Sequence, residues 1–196
     1  MSISIVDYGV PNGTHNVYDV TFYSDTIHTL VTNSPSMVDS WISEIEYVHR
    51  RRLNRLIVGF DVEWRPNFNR NIQNPIATLQ LCVGRRCLIF QLLHSATIPY
   101  SLTGFLGNPN HTFVGVGIQS DVEKLREDYW LNVATIVDVR VLAAEKLGVS
   151  DLMKAGLRTL AMQVLNKDVP KPKRVTLSRW DHLWLNLEQQ VMVGKI

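Results

Sequence analysis

The sequence has few cysteines, no long apolar run and almost no net charge. No segment approaches the roughly 20 consecutive apolar residues that a membrane-spanning helix needs. The first residues contain no basic stretch followed by an apolar run, so we expect no secretory signal. A formal charge of +2 is too small to indicate a nucleic-acid-binding surface by itself. Any such binding must come from local basic patches.

Only two cysteines are present, Cys82 and Cys87, and they bracket residues 83–86, which are typical of a tight turn between two strands. A cross-strand disulfide is conceivable, but two thiols are the better expectation for an intracellular hairpin. Two ligands alone do not make a zinc site. We therefore expect a reducing compartment, the nucleus or the cytoplasm.

The chain has 196 residues, of which 45% are hydrophobic. That content can bury one sizeable core, and the length is too short for two ordinary domains. We therefore predict a single domain over residues 1–196. Residues 1–16 are expected to form a loose N-terminal arm because they end in the turn signal Pro11-Asn12-Gly13.

Hydrophobic periodicity predicts alternating strands and helices along the rest of the chain. A helix is expected to begin with Ser36 as its cap, and another near Asp121 with Ser120 as its cap. Two or three further helices are expected from Leu142 onward. The predicted strands cover residues 17–22, 27–32, 56–63, 77–83, 87–92, 112–117 and 134–139. This order predicts an α/β fold with a mixed central sheet flanked by helices.

Two carboxylates follow the apolar residues 56–60. Asp61 and Glu63 are two apart in a strand and therefore point to the same face. Carboxylates at such a position are costly to desolvate unless they are paired or bind a metal, and hard oxygen ligands suit Mg²⁺ or Mn²⁺. A solvated pair of acids at a strand end is the alternative for an isolated Asp-x-Glu. Asp121 follows a second apolar strand, and three acids at two strand ends can converge on a metal.

Three stretches resemble the motifs of a known nuclease family. Residues 59–66 are similar to the first motif of the Werner-syndrome-type and RNase D-type 3′–5′ exonucleases, which belong to the DEDD superfamily. Residues 77–92 resemble the strands that follow it. Residues 114–121, with Lys124 and Leu125, resemble the second motif, and residues 137–139 the next strand. The resemblance covers roughly residues 56–190 and implies an RNase H-like fold.

The resemblance also implies a mechanism that uses two divalent ions, Mg²⁺ or Mn²⁺. Asp61 would bridge both ions, Glu63 would hold the ion that activates water, and Asp121 would serve the second ion. The implied catalytic residues are thus also the implied metal ligands. The substrate would be the 3′ end of single-stranded RNA or DNA, and the product a nucleoside 5′-monophosphate.

Five further residues are candidates for binding nucleic acid. Trp64 and Phe68 follow the implied metal ligands and would stack on or wedge against the terminal base. Simple packing is an equally good interpretation of Trp64. Lys171, Lys173 and Arg174 give three positive charges in a loop and would contact phosphates. The alternative for these three is a solvated loop.

The family's third motif is incomplete here. It reads Glu-Gln, two residues, Tyr-Ala, two residues, Asp. This chain has Glu188-Gln189, but Met192 stands at the tyrosine position and Ile196 at the aspartate position.

Three hypotheses follow from that departure. In a weakened nuclease, Asp181, Asp138 or the terminal carboxylate of Ile196 would supply the missing ligand. In an inactive relative, only nucleic-acid binding would remain. In an oligomeric scaffold, the acidic site would be vestigial. A homo-oligomer is suggested by five residues that offer more apolar surface than a short C-terminal helix needs: Trp180, Leu183, Trp184, Leu185 and Leu187.

Overall fold

The computed structural model describes residues 4–9, 15–67, 73–170 and 172–193, with the backbone alone for residues 191–193. Within these ranges the chain forms eight strands and seven α-helices. The strands are β1 (Ser4–Asp7), β2 (His15–Phe22), β3 (Asp25–Thr32), β4 (Leu56–Trp64), β5 (Ile76–Val83), β6 (Arg86–Phe90), β7 (His111–Gly115) and β8 (Thr135–Asp138). The helices are α1 (Pro35–Val48), α2 (Tyr100–Leu106), α3 (Ile118–Tyr129), α4 (Val139–Leu147), α5 (Leu157–Leu165), α6 (Lys173–Thr176) and α7 (Leu187–Val193).

All the described strands join one mixed sheet, in the order β1-β2-β3-β6-β5-β4-β7-β8. The first three strands are antiparallel, and β3 then pairs in parallel with β6. Strand β5 is antiparallel to both of its neighbours, β6 and β4, whereas β4, β7 and β8 are parallel to one another. The predicted α/β fold with a mixed sheet is confirmed. Parallel pairing makes the carboxyl ends of β4, β7 and β8 meet at one edge of the sheet.

The two faces of the sheet carry separate cores. On the first face, side chains of β4 and β7 such as Phe60 and Phe113 pack against α1, α2 and α3. On the second face, strand residues such as Tyr18 and Ile89 pack against the segment before α7, which contributes Trp180. This division follows from the alternation along each strand, since Phe60 and Val62 face one side and Asp61 and Glu63 the other.

The N-terminal residues correct one prediction. Instead of a loose arm, residues 4–7 form the edge strand β1, and β2 begins at His15. The β-branched Ile5 packs against the second core, and the Tyr8 hydroxyl donates to Asp19 over 2.7 Å. Residues 1–3 and 10–14 lie outside the described ranges.

Helix α1 begins one residue before the predicted cap. Ser34 occupies the N-cap position and Pro35 the first turn, so Ser36 lies inside the helix. Proline suits this position because its fixed φ is already helical and it has no N–H to satisfy there.

The C-terminal part holds four described α-helices, α4 to α7, rather than two or three. No helix in the described ranges has the length and apolar character needed to cross a membrane.

The two cysteines form a disulfide, so the expectation of free thiols is wrong. Cys82 and Cys87 are directly opposed on the antiparallel strands β5 and β6, and their Cα atoms are 4.2 Å apart. Directly opposed side chains of an antiparallel pair are close neighbours, which allows the bond. The compartment inferred from the thiols stays a prediction.

The five apolar residues between positions 180 and 187 divide into two sets. Trp180 is fully buried and Leu185 nearly so, because both belong to the second core. Their assignment to an exposed patch is therefore wrong. Trp184, at 67% exposure, lies on the surface, as do Leu183 and Leu187. Only these three remain candidates for the predicted self-association.

Candidate active site

Strand β4 places Asp61 and Glu63 on the second face of the sheet. In the register with β5, Asp61 lies opposite Gln80 and Glu63 opposite Thr78, so four polar side chains share one surface. Glu63 is only 7% exposed, whereas Asp61 is half-buried and accepts the Val62 N–H over 3.0 Å. The register between β4 and β5 shifts at Glu63 and Trp64, where the sheet ends.

Asp121 reaches the same edge from the next strand. Strand β7 runs parallel to β4, and a short turn leads from its end into α3, which contacts β4. Asp121 lies in the first turn of α3 and is half-buried. The helix starts at Ile118, three residues before the predicted start. Gly117 is its N-cap, and the Ser120 hydroxyl donates to the Gly117 carbonyl from within the helix, so Ser120 is not the cap.

Two glycines form that turn, each for a different reason. A Cβ at Gly115 would lie 2.7 Å from the Phe60 carbonyl oxygen, so only glycine lets β7 come this close to β4. Gly117 has φ of +74°, a left-handed conformation that favours glycine. The turn therefore fixes how closely the start of α3, which carries Asp121, approaches β4.

Asp138 ties the turn to the neighbouring helix. It is the N-cap of α4, accepts the Arg140 N–H over 2.9 Å and accepts the Gly117 N–H over 3.1 Å. Its carboxylate also receives the Arg140 guanidinium at 2.6–3.1 Å. Burial raises the pKa of Asp138, but the hydrogen bonds and charge of Arg140 and the Gly117 N–H bring it below its usual value. The sequence analysis did not predict these contacts of Asp138, although an aspartate that ends a strand before a helix is an N-cap signal.

The Arg140 guanidinium adds positive charge to the acidic edge. Hydrogen bonds from its side chain to Asp138 raise the pKa of Arg140, and the negative charge of Asp121 acts in the same direction. A Cβ on Gly117 would lie 3.3 Å from the guanidinium. Arg140 therefore lies over the start of α3 and balances part of the negative charge there.

Asp61, Glu63 and Asp121 do not form a recognisable metal-binding cluster in the structure. Within the described ranges, no group of three or more His, Cys, Asp or Glu side chains is arranged to hold a metal. The donor chemistry of Asp61, Glu63 and Asp121 suits a hard divalent cation. Their assignment as metal ligands and catalytic residues stays a prediction.

The acids proposed as replacement ligands already have cationic partners. Asp138 is paired with Arg140, as described above. Asp181 accepts two hydrogen bonds of 2.9 Å from Arg179, which lower its pKa, and lies 3.7 Å from Arg65. A metal at either carboxylate would have to share it with the guanidinium that already donates to it. Ile196 lies outside the described residues.

The predicted nucleic-acid-binding residues that the structure describes lie on two different elements, β4 and α6. Trp64 is half-buried against the first core, and Lys124 lies 5.3 Å from its ring centroid, which favours a packing role. Arg174 pairs with Glu188, and Lys173 is exposed on α6. Phe68 and Lys171 lie outside the described residues. The assignment of these five residues stays a prediction.

The sheet topology and the acids at its carboxyl edge define an RNase H-like α/β domain of the kind found in phosphodiester hydrolases. The model of the 3′–5′ exonuclease family matches residues 36–192, which is most of the chain. The chain therefore belongs to the 3′–5′ exonuclease family, and the resemblance to the Werner-syndrome-type and RNase D-type domains is confirmed.

Individual relatives agree with this assignment. A 3′–5′ exonuclease of Arabidopsis thaliana is 34% identical over 134 residues, which cover 67% of this chain and 46% of that protein. The mouse bifunctional 3′–5′ exonuclease/ATP-dependent helicase WRN is 31% identical over 136 residues, which cover 69% of this chain and 10% of that protein. The chain thus spans less than half the length of either curated relative.

Solved structures of the EXD2 exonuclease domain share the fold. The domain soaked in Mg superimposes with a TM-score of 0.53 at 26% identity, covering 84% of this chain and 79% of that one. The domain soaked in Mg and GMP gives a TM-score of 0.51 at 27% identity, covering 82% and 78%.

Proposed function

We propose that this chain is a metal-dependent exonuclease that releases nucleoside 5′-monophosphates from the 3′ end of single-stranded nucleic acid. The observation that carries the proposal is the placement of Asp61 and Glu63 on one face of β4, beside the turn that delivers Asp121. Family membership supplies the reaction class. Soaks of the EXD2 domain with Mg or Mn and with GMP or dGMP are consistent with divalent ions and a nucleotide product.

Asp61, Glu63 and Asp121 are the residues that would hold Mg²⁺ or Mn²⁺. Bound divalent ions would lower the pKa of an attacking water and stabilise the charge that develops on the leaving 3′ oxygen. Glu63 suits a ligand role because its burial limits competition from solvent for the carboxylate. Asp138 contributes indirectly, since its hydrogen bond to Gly117 orients the start of the helix that carries Asp121.

The test is an exonuclease assay with 5′-labelled single-stranded RNA and DNA, in Mg²⁺, in Mn²⁺ and in EDTA. We expect stepwise shortening with either metal and none with EDTA. The Asp61→Ala/Glu63→Ala variant should lose at least ~10²-fold in rate, the cost of removing a pre-organised catalytic group. Glu145→Ala/Asp151→Ala is the matched control because it removes two exposed carboxylates elsewhere. Equal shortening by both double variants would reject the site.

A second candidate function is nucleic-acid binding without hydrolysis. It rests on Met192 and Ile196, which stand where the family has its catalytic tyrosine and aspartate. Substrate that is bound but not shortened under any metal condition would support this candidate. Loss of both binding and shortening in a folded protein would contradict both candidates.

A further inference from the structure

A large cavity lies away from the three acids. A cavity of about 820 Å³ opens between α4, α5 and the turns that join β2 to β3 and β5 to β6. Asp61, Glu63 and Asp121 do not line it. Its volume falls within the ~300–1,000 Å³ range of ligand pockets in proteins. Because it shares no residue with the acidic edge, a ligand there would be separate from the proposed nuclease substrate.

The wall of the cavity is almost entirely aliphatic. It is lined by side chains from both helices and from the sheet, among them Ile27, Leu142, Leu157, Leu160, Val164 and Val169. Phe22 is the one aromatic side chain in the lining. Nucleobases are held by aromatic rings on which they stack, and this wall offers few. An aliphatic wall instead matches a flexible alkyl chain.

Positive charge is concentrated at the cavity. Arg85, Lys146 and Lys167 line it, with Asp25 as the only carboxylate in the lining. Asp25 lies 2.8 Å from the Arg85 guanidinium and 3.5 Å from the Lys167 ammonium, so one acid is shared between two cations. Lys146 is exposed on α4 and forms no ion pair with any of the described residues. The lining therefore carries an excess of positive charge.

We infer that this cavity binds a single-chain amphiphile with an anionic head, of the long-chain carboxylate class. The alkyl chain would lie against the aliphatic walls of α4 and α5, and the carboxylate would meet Lys146 and Lys167. Several lining side chains are solvent-exposed in the free protein, including Leu142 at 43%, Val164 at 53% and Leu165 at 62%. A bound alkyl chain would cover these side chains and remove their apolar area from water, which is the source of the affinity.

The probes are dodecanoate and dodecyltrimethylammonium, which share a chain and differ in head charge. Isothermal titration of the full chain below the micelle concentration should show one dodecanoate bound per protein, roughly tenfold tighter than the cation. Lys146→Glu should weaken dodecanoate binding by a similar factor. Lys154→Glu is the matched control, because Lys154 is equally exposed but lies outside the lining. Equal affinity for the two probes, or no effect of Lys146→Glu, would overturn the inference.

A second variant tests the volume rather than the charge. Ala143→Phe places a ring in the cavity from α4 and should abolish dodecanoate binding while thermal unfolding shows a folded protein. If Ala143→Phe does not fold, the comparison of Lys146→Glu with Lys154→Glu still tests whether the cavity binds dodecanoate. A concentration-dependent dimer in sedimentation that Ala143→Phe disrupts and dodecanoate leaves intact would assign the cavity to a second copy. GMP that competes with dodecanoate would assign it to a nucleotide.

Discussion

Replacement of Gly115 by alanine tests whether the close approach of β7 to β4 holds the acidic edge together. The new Cβ would lie 2.7 Å from the Phe60 carbonyl oxygen and 3.3 Å from the Ile118 Cβ. Cβ atoms in proteins essentially never come within 3.0 Å of such a neighbour, and ordinary contact begins at 3.4 Å. The carbonyl belongs to a strand in the centre of the sheet and has no rotamer that could move it away. The strands must therefore separate by several tenths of an ångström.

The separation lowers the free energy of unfolding because the added methyl group overpacks the contact between the two strands. Inserting a methyl group into a well-packed site costs about 1–3 kcal/mol. The effect on activity should be larger than the effect on stability suggests, because the displaced segment carries Asp121 while the opposing strand carries Asp61. A misplacement of ~1 Å between catalytic groups costs on the order of 10²-fold in rate. We expect Gly115→Ala to lower the free energy of unfolding by about 1–3 kcal/mol and the exonuclease rate by about 10- to 100-fold.

Urea unfolding followed by circular dichroism measures the first effect, and the oligonucleotide assay measures the second. Gly104→Ala is the matched control: Gly104 lies within α2, and its Cβ would meet nothing within 4 Å. Alanine there should stabilise the helix by about 0.5–1 kcal/mol and leave the rate unchanged. A Gly115→Ala protein as stable and as active as wild type would refute the role given to the close approach.

Three further substitutions or treatments test the fold. Asp138→Asn should destabilise the protein at neutral pH but not in acid: the folded-state pKa lies below the usual ~3.9, so the stabilisation present above that value is lost as the pH falls through the folded-state pKa. Urea midpoints of both proteins, measured in steps from pH 7 into acid, follow this loss. Trp180→Ala should cost about 3–5 kcal/mol, since Trp180 is fully buried, whereas Trp184→Ala should cost less than about 0.5 kcal/mol. Reduction of the Cys82–Cys87 bond should lower the free energy of unfolding by about 2 kcal/mol, the entropy of a short closed loop.

Each of these predictions has an outcome that contradicts it. If wild type and Asp138→Asn differ in stability by the same amount at every pH, the carboxylate is not held ionised by Arg140. Equal losses in the two tryptophan variants would contradict the burial of Trp180 in the second core. Wild-type stability that does not respond to reductant would indicate two thiols, and Cys82→Ser/Cys87→Ser is the control for effects of the reductant itself.

The strands were predictable because alternation is a local signal. The apolar residues 56–60 and the acids after them predict a buried strand with two carboxylates at its end, and β4 has that form. Asp61 and Glu63 share a face for the same reason, since two residues in a strand complete one period. The order of the elements along the chain was also enough to predict an α/β fold with a mixed sheet.

Other features depend on partners that are distant in the sequence. Residues 4–7 carry too weak a pattern to predict a strand, and they form one because β2 offers an open edge. The disulfide depends on the register between β5 and β6, which a one-residue shift would change. Trp180 is buried only because the segment before α7 folds back over Tyr18 and Ile89.

The position of Asp121 could not be predicted from the residues around it in the sequence. Its position relative to β4 depends on three contacts: Gly115 approaches Phe60, Gly117 adopts a left-handed turn, and Asp138 accepts the Gly117 N–H. Each residue is common by itself, so no single position indicates the arrangement. Arg140 links the same contacts to the charge of Asp121. The same turn determines the packing and the charge at this edge of the sheet. Substitutions at Gly115 or Asp138 should therefore alter activity by displacing Asp121, although neither residue is proposed to contact the substrate.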